Sequence, residues 1–271
     1  MRSKSVGNVA TNELSNVEAM AYVAARSAYN YPKAYIKMAP LGHPYDIVLS
    51  PTVRAEFVVP MCGDVTDLWL DQYHYDLLHS VNPLDRQLGL ASVVYWGFYS
   101  HNDNFARNRV SLHIKGHKAV PATTSAVAVS QTTRAVAHLN NKCTGLALSE
   151  FSHISQLSRT PFASKVVAFL APSIAGVYDN RINDGLNTEP WASHIAGGIG
   201  SAKSPSVVKC YQSWCVYITH LAAQLNMGIS AGKPWRWSCG KDQGQLWRAV
   251  DVERAIFEIM GSAGGGANAH G

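Results

Sequence analysis

Charge is the first thing this chain is short of. Lys, Arg, Asp and Glu make up only 15% of its 271 residues, against 47% hydrophobic ones. A disordered polyelectrolyte is therefore excluded for most of the length, and a sizeable core can form. Long apolar runs are missing too, since none approaches the ~20 residues a helix needs to cross a bilayer. Residues 1–16 carry Arg2 and Lys4, but no hydrophobic core of a signal peptide follows them. No membrane partner and a cytoplasmic location are expected. The five cysteines, Cys62, Cys143, Cys210, Cys215 and Cys239, form no CxxC pair and no cluster of four for iron and sulfur. They read as free, mostly buried thiols in a reducing compartment. The eleven histidines give neither HExxH nor a paired zinc spacing, so no metal and no other cofactor is expected. The net charge of +5 and calculated pI of about 8.9 permit nucleic-acid binding without arguing for it.

What is present is mostly helical spacing. The length suits one large domain or two intimately packed subdomains. Residues 17–31, 66–80, 84–99, 207–225 and 246–260 all carry apolar positions at helical intervals. In the second of these Leu68, Trp69, Tyr73, Leu77 and Leu78 share a face, with Thr66 placed to cap it. The stretch 84–99 is apolar almost all round and reads as central. Helix is slightly favoured over 121–137. Residues 40–60, broken by prolines, are a connector or a small sheet. Residues 101–109 (HNDNFARNR) read as a polar loop, and 234–244 as an aromatic, basic one. This divides the chain into a peripheral N-terminal segment (1–60), a helical domain (61–260) and a flexible tail (261–271).

One stretch concentrates chemistry. Between Arg159 and Asp179 the only charged side chain is Lys165, at the start of the apolar run 166–170, which reads as a buried helix. Poor solvation and the positive end of the helix dipole both favour a neutral, nucleophilic amine there. Fourteen residues on, Asp179 precedes a short helical pattern over 180–186, where its carboxylate can face the same cleft. An amine and a carboxylate together suit reaction at a sugar carbon or a carbonyl. A helix over 144–156, a tight turn over 158–162 and a helix from Ala163 form a helix-hairpin-helix, at about 144–170. Pro161 suits entry into the second helix. Backbone N–H groups of such a hairpin can hold a DNA phosphate. The plain alternative is a solvated lysine in a first helical turn and an N-cap aspartate worth ~1 kcal/mol.

The segments Ser164-Lys165-Val166 and Val177-Tyr178-Asp179-Asn180-Arg181 resemble the lysine and aspartate motifs of the helix-hairpin-helix DNA glycosylase superfamily. The likeness is to the branch with an 8-oxoguanine glycosylase fold. Its bacterial members are also similar in Tyr95-Trp96-Gly97-Phe98-Tyr99, followed by Asn102 and Arg107, and in the closing Trp247-Arg248-x-x-Asp251-Val252-Glu253-Arg254-Ala255-Ile256-Phe257. The resemblance spans roughly residues 84–260. One departure is that Pro161-Phe162-Ala163 stands where the family usually has a glycine-x-glycine turn.

The resemblance implies a mainly α fold, with two packed helical subdomains and a DNA-binding cleft between them. It also implies a bacterial enzyme whose partner is double-stranded DNA with a modified base, without an obligatory protein partner. A flipped nucleotide would be attacked at its sugar carbon by Lys165, giving a Schiff base, while Asp179 stabilises the cationic sugar. Strand cleavage can follow. Around that pair, Trp96, Asn102, Asp103, Trp235 and Trp237 are candidates for the base pocket. Arg107, Arg159, Thr160, Phe162, Ser164 and Lys209 are candidates for phosphate contacts. Several have a plainer reading: bracing of Asp103 for Arg107, a turn for Asn102 and Asp103, core packing for Trp235 and Trp237. Excision of glucosylated hydroxymethylcytosine in defence against phage is the favoured activity, and repair of 8-oxoguanine the alternative. A non-enzymatic DNA-binding protein and a lysine-dependent carbonyl enzyme are the readings from other classes.

Overall fold

The most apolar helical stretch of the sequence becomes the middle of the molecule. In the computed structural model, residues 13–40, 42–50, 53–61, 63–116, 121–188, 192, 195–228 and 232–263 are described. They form α1 (Asn16–Ala28), β1 (Tyr35–Met38), β2 (Ile47–Ser50), β3 (Val53–Val58), α2 (Asp67–His79), α3 (Pro83–Tyr99), α4 (Asp103–Lys115) and α5 (Ser125–Asn140). Then come α6 (Thr144–Ser149), α7 (Thr160–Leu170), α8 (Asn180–Asn187), α9 (Pro205–Met227), β4 (Trp237–Cys239), β5 (Asp242–Gln245) and α10 (Ala249–Ala263). The architecture is mainly helical, as expected. Asn82 caps α3 through Leu84 N–H and Pro83 opens it, as the missing proline N–H allows. From Gln87 to Phe98 every side chain of α3 is buried, and α2, α4, α5, α7 and β1 pack around it.

Within 40–60, β2 and β3 join β1 in a small sheet. Its strand order is β1-β3-β2, antiparallel throughout. Ile36 and Ala55 are fully buried, and Ser92 on α3 accepts from Ile36 N–H at 3.0 Å. The N-terminal segment expected to be peripheral is thus part of the core. Helix α1, closed by a Ser15/Glu18 capping box, lies on α10. A buried ionic network joins them. Arg26 meets Asp67 at 3.0 Å and Asp251 at 3.3 Å, while Asp71 takes Arg248 at 2.6 Å and Arg254 at 2.5 Å. Burial alone would raise the carboxyls of Asp67 and Asp71, but Arg254 and the other cations beside them hold both below the usual carboxylate range.

Four expected boundaries move. The stretch 101–109 is not a loop but the start of α4, because the Asn102 side chain accepts from Phe105 N–H at 2.7 Å and caps it. The helix expected over 144–156 stops at Ser149. Phe151, Ile154 and Leu157 are buried at intervals of three, so the chain follows i→i+3 turns rather than an α-helix, and Gln156 at φ 68° ends the run. Part of 234–244 is the β4–β5 hairpin. Helix α10 runs on to Ala263, and the rest of the expected tail, 264–271, lies outside the described residues. Cys215 is buried and Cys143, Cys210 and Cys239 are half-buried, all four as free thiols; Cys62 lies outside the described residues. Among the described residues no helix is long and apolar enough to cross a membrane.

Candidate functional site

Helix α7 starts where the chain is fastened to the loop before α9. Thr160 donates both its N–H (3.0 Å) and its hydroxyl (3.2 Å) to Gly200 O, and Ala202 N–H donates to Ser158 O at 2.9 Å. One turn further on, Lys165 is only 7% exposed. Its Nζ lies 5.1 Å from the Phe162 ring centre, 5.5 Å from Trp96 and 6.0 Å from Tyr31, all within reach of cation–π attraction. The aliphatic stem lies on α3 at Gly97. A Cβ there would stand 3.0 Å from Lys165 Cδ and 3.3 Å from the Phe162 ring. No carboxylate among the described residues pairs with Lys165 within 4.0 Å.

Asp179 caps α8, Oδ1 accepting from Ile182 N–H at 3.1 Å, so the plain N-cap reading is correct as far as it goes. The carboxylate is nonetheless half-buried and lines the same cleft as Lys165. The residues before it are held by three hydrogen bonds from α9 and α7. Tyr211 hydroxyl donates to Gly176 O at 3.0 Å, Trp214 indole N–H to Val177 O at 3.0 Å, and Tyr178 N–H to Ser164 Oγ at 3.0 Å. With Ser164 next to Lys165 on α7, one hydroxyl ties the aspartate's strand to the lysine's helix.

The cleft measures about 670 Å³, within the size range of small-ligand sites. Tyr31, Phe162 and Phe257 supply flat apolar faces, and Arg181 lies 4.0 Å over Phe257 at the rim. A second cleft of about 660 Å³ lies beyond Phe162, lined by Arg109, Ser152, Gln156 and Arg159 among others. Phe98 and Phe162, stacked at 3.9 Å and 20°, are shared or bordering walls. Arg159 lines both clefts, is exposed, and has no ion pair among the described residues. His153 lines the second as well.

The remaining sequence candidates fall elsewhere. Trp96 is buried beneath Lys165 rather than in the cleft lining. Asn102 is spent on capping α4. Asp103 accepts from Tyr95 hydroxyl at 2.5 Å and from Arg107 at 2.8 Å, and Arg107 also pairs with Asp46 at 3.0 Å, so both are braces. Trp237 is fully buried, its indole N–H on Leu246 O and Arg26 at 3.9 Å over its ring; Trp235 is half-buried and packs against the core. Thr160 and Ser164 have their hydroxyls engaged as described. Lys209 is exposed on α9, outside the lining of both clefts. The sequence reading missed Tyr31, Gly97 and Phe257 as site residues. Gly97 and Phe257 sit in motifs quoted above, whereas nothing local marks Tyr31. Among the described residues no group of three or more His, Cys, Asp or Glu could hold a metal ion.

No protein-family profile, curated protein or solved structure matches the chain.

Proposed function

We propose that the chain is a DNA glycosylase of the helix-hairpin-helix type, acting on a flipped, modified base. The observation that carries this reading is one aromatic-walled cleft shared by Lys165 from α7 and Asp179 from the start of α8. Neither belongs to the ionic network of the core, so both are available to a ligand. The flat faces of Tyr31, Phe162 and Phe257 suit a nucleobase, and the cleft has room for one bearing a sugar. Arg159 and Arg181 at the rim suit phosphates.

In this reading the glycosidic bond breaks with its electron pair going to the departing base. Asp179 stabilises the cationic sugar, and the Lys165 amine bonds to the sugar carbon. Loss of a proton and ring opening give a Schiff base, from which strand cleavage can follow. Glucosylated hydroxymethylcytosine is the favoured target, with defence against phage as the role.

Borohydride trapping on two duplexes, one with 8-oxoguanine and one with glucosylated hydroxymethylcytosine, tests it. A covalent complex is expected on the second duplex, absent in Lys165→Ala and slowed by orders of magnitude in Asp179→Asn. Preference for 8-oxoguanine would move the role to repair. DNA binding with neither complex nor abasic sites on either duplex would leave a non-enzymatic binding protein.

A further inference from the structure

Beneath the cleft lies a carboxyl group that the reaction above does not use. Glu253, on α10, is 4% exposed and forms no ion pair within 4.0 Å among the described residues. The neighbouring Arg254 turns its guanidinium to Asp71 and Asp251 instead. Glu253 reaches its position because residue 176 is glycine. A Cβ there would stand 2.7 Å from Glu253 Cβ and 2.7 Å from Ile218 Cδ1, so any side chain would push α10 and α9 away. Glu253 thus packs its stem on the strand at Gly176, and its carboxyl faces the backbone of Val177, two residues before Asp179. Phe257, one helical turn along α10, lies in the cleft itself.

We infer that Glu253 is a further positioning residue of this site, holding the strand that presents Asp179 and setting a second carboxyl behind the Lys165–Asp179 pair. The inference deepens the glycosylase reading and, for the rate arm of its test, rests on it. The strand 176–178 then has a partner on each side: Tyr211 and Trp214 from α9, Ser164 from α7, and Glu253 from α10. The charged and titratable groups facing Glu253 are Arg254 on its own helix, Asp179, Lys165, Tyr211 from α9 and Tyr29 after α1. Burial pushes its carboxyl up to about 8; Arg254 opposes the rise and Asp179 adds to it. Ionised Glu253 therefore adds a negative charge behind Asp179 and Glu258, which both line the cleft, and neutral Glu253 does not.

The first arm needs no DNA. The chain has seven glutamates, few enough for carboxyl-carbon labelling to resolve one signal identified by its loss in Glu253→Gln. In the wild type that signal is expected to titrate near pH 8. In Asp179→Asn its midpoint falls, because a neighbouring negative charge has gone. A carboxyl titrating in the ordinary range, or one indifferent to Asp179→Asn, overturns the inference. If Glu253→Gln does not fold, loss of the labelled glutamate signal in Glu253→Asp makes the assignment, and the Asp179→Asn comparison decides. The second arm is single-turnover excision against pH. The wild-type rate is expected to rise roughly threefold to tenfold through pH 8, as the added Glu253 charge favours the cationic sugar, and the inflection is lost in Glu253→Gln. An inflection that survives the substitution overturns the inference. Should no duplex be processed while the carboxyl titrates as stated, the glycosylase reading fails and the coupling of Glu253 to Asp179 stands.

Discussion

Gly97→Ala separates the site from the fold. The added methyl would stand 3.0 Å from Lys165 Cδ and 3.3 Å from the Phe162 ring. Carbon atoms pack comfortably at about 3.5–4.0 Å, so the lysine stem and the ring must retreat by roughly half an ångström. Stability gains up to ~1 kcal/mol, because alanine replaces glycine inside a helix. Overpacking takes back about as much. The net change in unfolding free energy is expected within ~1 kcal/mol of zero. The chemistry has no such compensation. A misplacement of about 1 Å costs roughly 100-fold in rate, so half of that predicts about tenfold. The bulkier Gly97→Val should reach about 100-fold. Urea unfolding measures the first quantity and the initial rate of borohydride trapping the second. Wild-type trapping by Gly97→Ala would refute the placement of Lys165 on Gly97. So would a stability loss beyond ~2 kcal/mol that accounts for the slow trapping by itself.

Three further expectations follow from the same structure. Asp71→Ala leaves Arg248 and Arg254 with Asp251 alone between them and should cost about 3–5 kcal/mol in urea unfolding; a loss below ~1 kcal/mol would mean the network holds nothing. Arg159→Ala should weaken DNA binding on all sequences alike and flatten the salt dependence by about one counterion, with trapping at saturating duplex unchanged. Stability should peak near pH 6.5. Burial pushes His74 and His113 down to about 4, so the unfolded chain takes up their protons first and stability falls as pH drops from 6.5 towards 4. Glu253, pushed up to about 8, acts in the opposite sense: its contribution is full below the ordinary glutamate value of 4.5 and is lost as pH rises to 8. Urea midpoints from pH 4.5 to 8.5 should trace this arch, and Glu253→Gln should remove the decline above 6.5. A midpoint constant across the range would deny the buried neutral histidines.

What could be read from the sequence depended on how local its cause was. Helix α3 is legible because its burial is written in an unbroken apolar run, and Lys165 because no other charge surrounds it. Helix α4 was hidden: its buried positions, Ala106, Val110, His113 and Ile114, are spaced correctly but diluted by Arg107, Asn108 and Arg109, and its cap reads equally well as a turn. The tryptophans of 234–244 were misplaced because the burial of Trp237 depends on Arg26, which arrives from α1. The fit of Lys165 on Gly97, and of Glu253 against Gly176, is a matter of how closely helices distant in sequence approach one another. No periodicity within either segment carries that information.

The cleft draws its parts from both ends of the helical order. Tyr31 follows α1, whereas Phe257 belongs to α10, and Arg26 and Asp251, 225 positions apart, lock those two helices together. Translation therefore delivers Lys165 and Asp179 well before the helix that walls them in. A nascent chain still lacking α10 has neither the Phe257 face nor the carboxyl behind Asp179, and cannot close its ionic core. On the glycosylase reading, the activity would in that way be withheld from nascent chains until α10 has been made and packed.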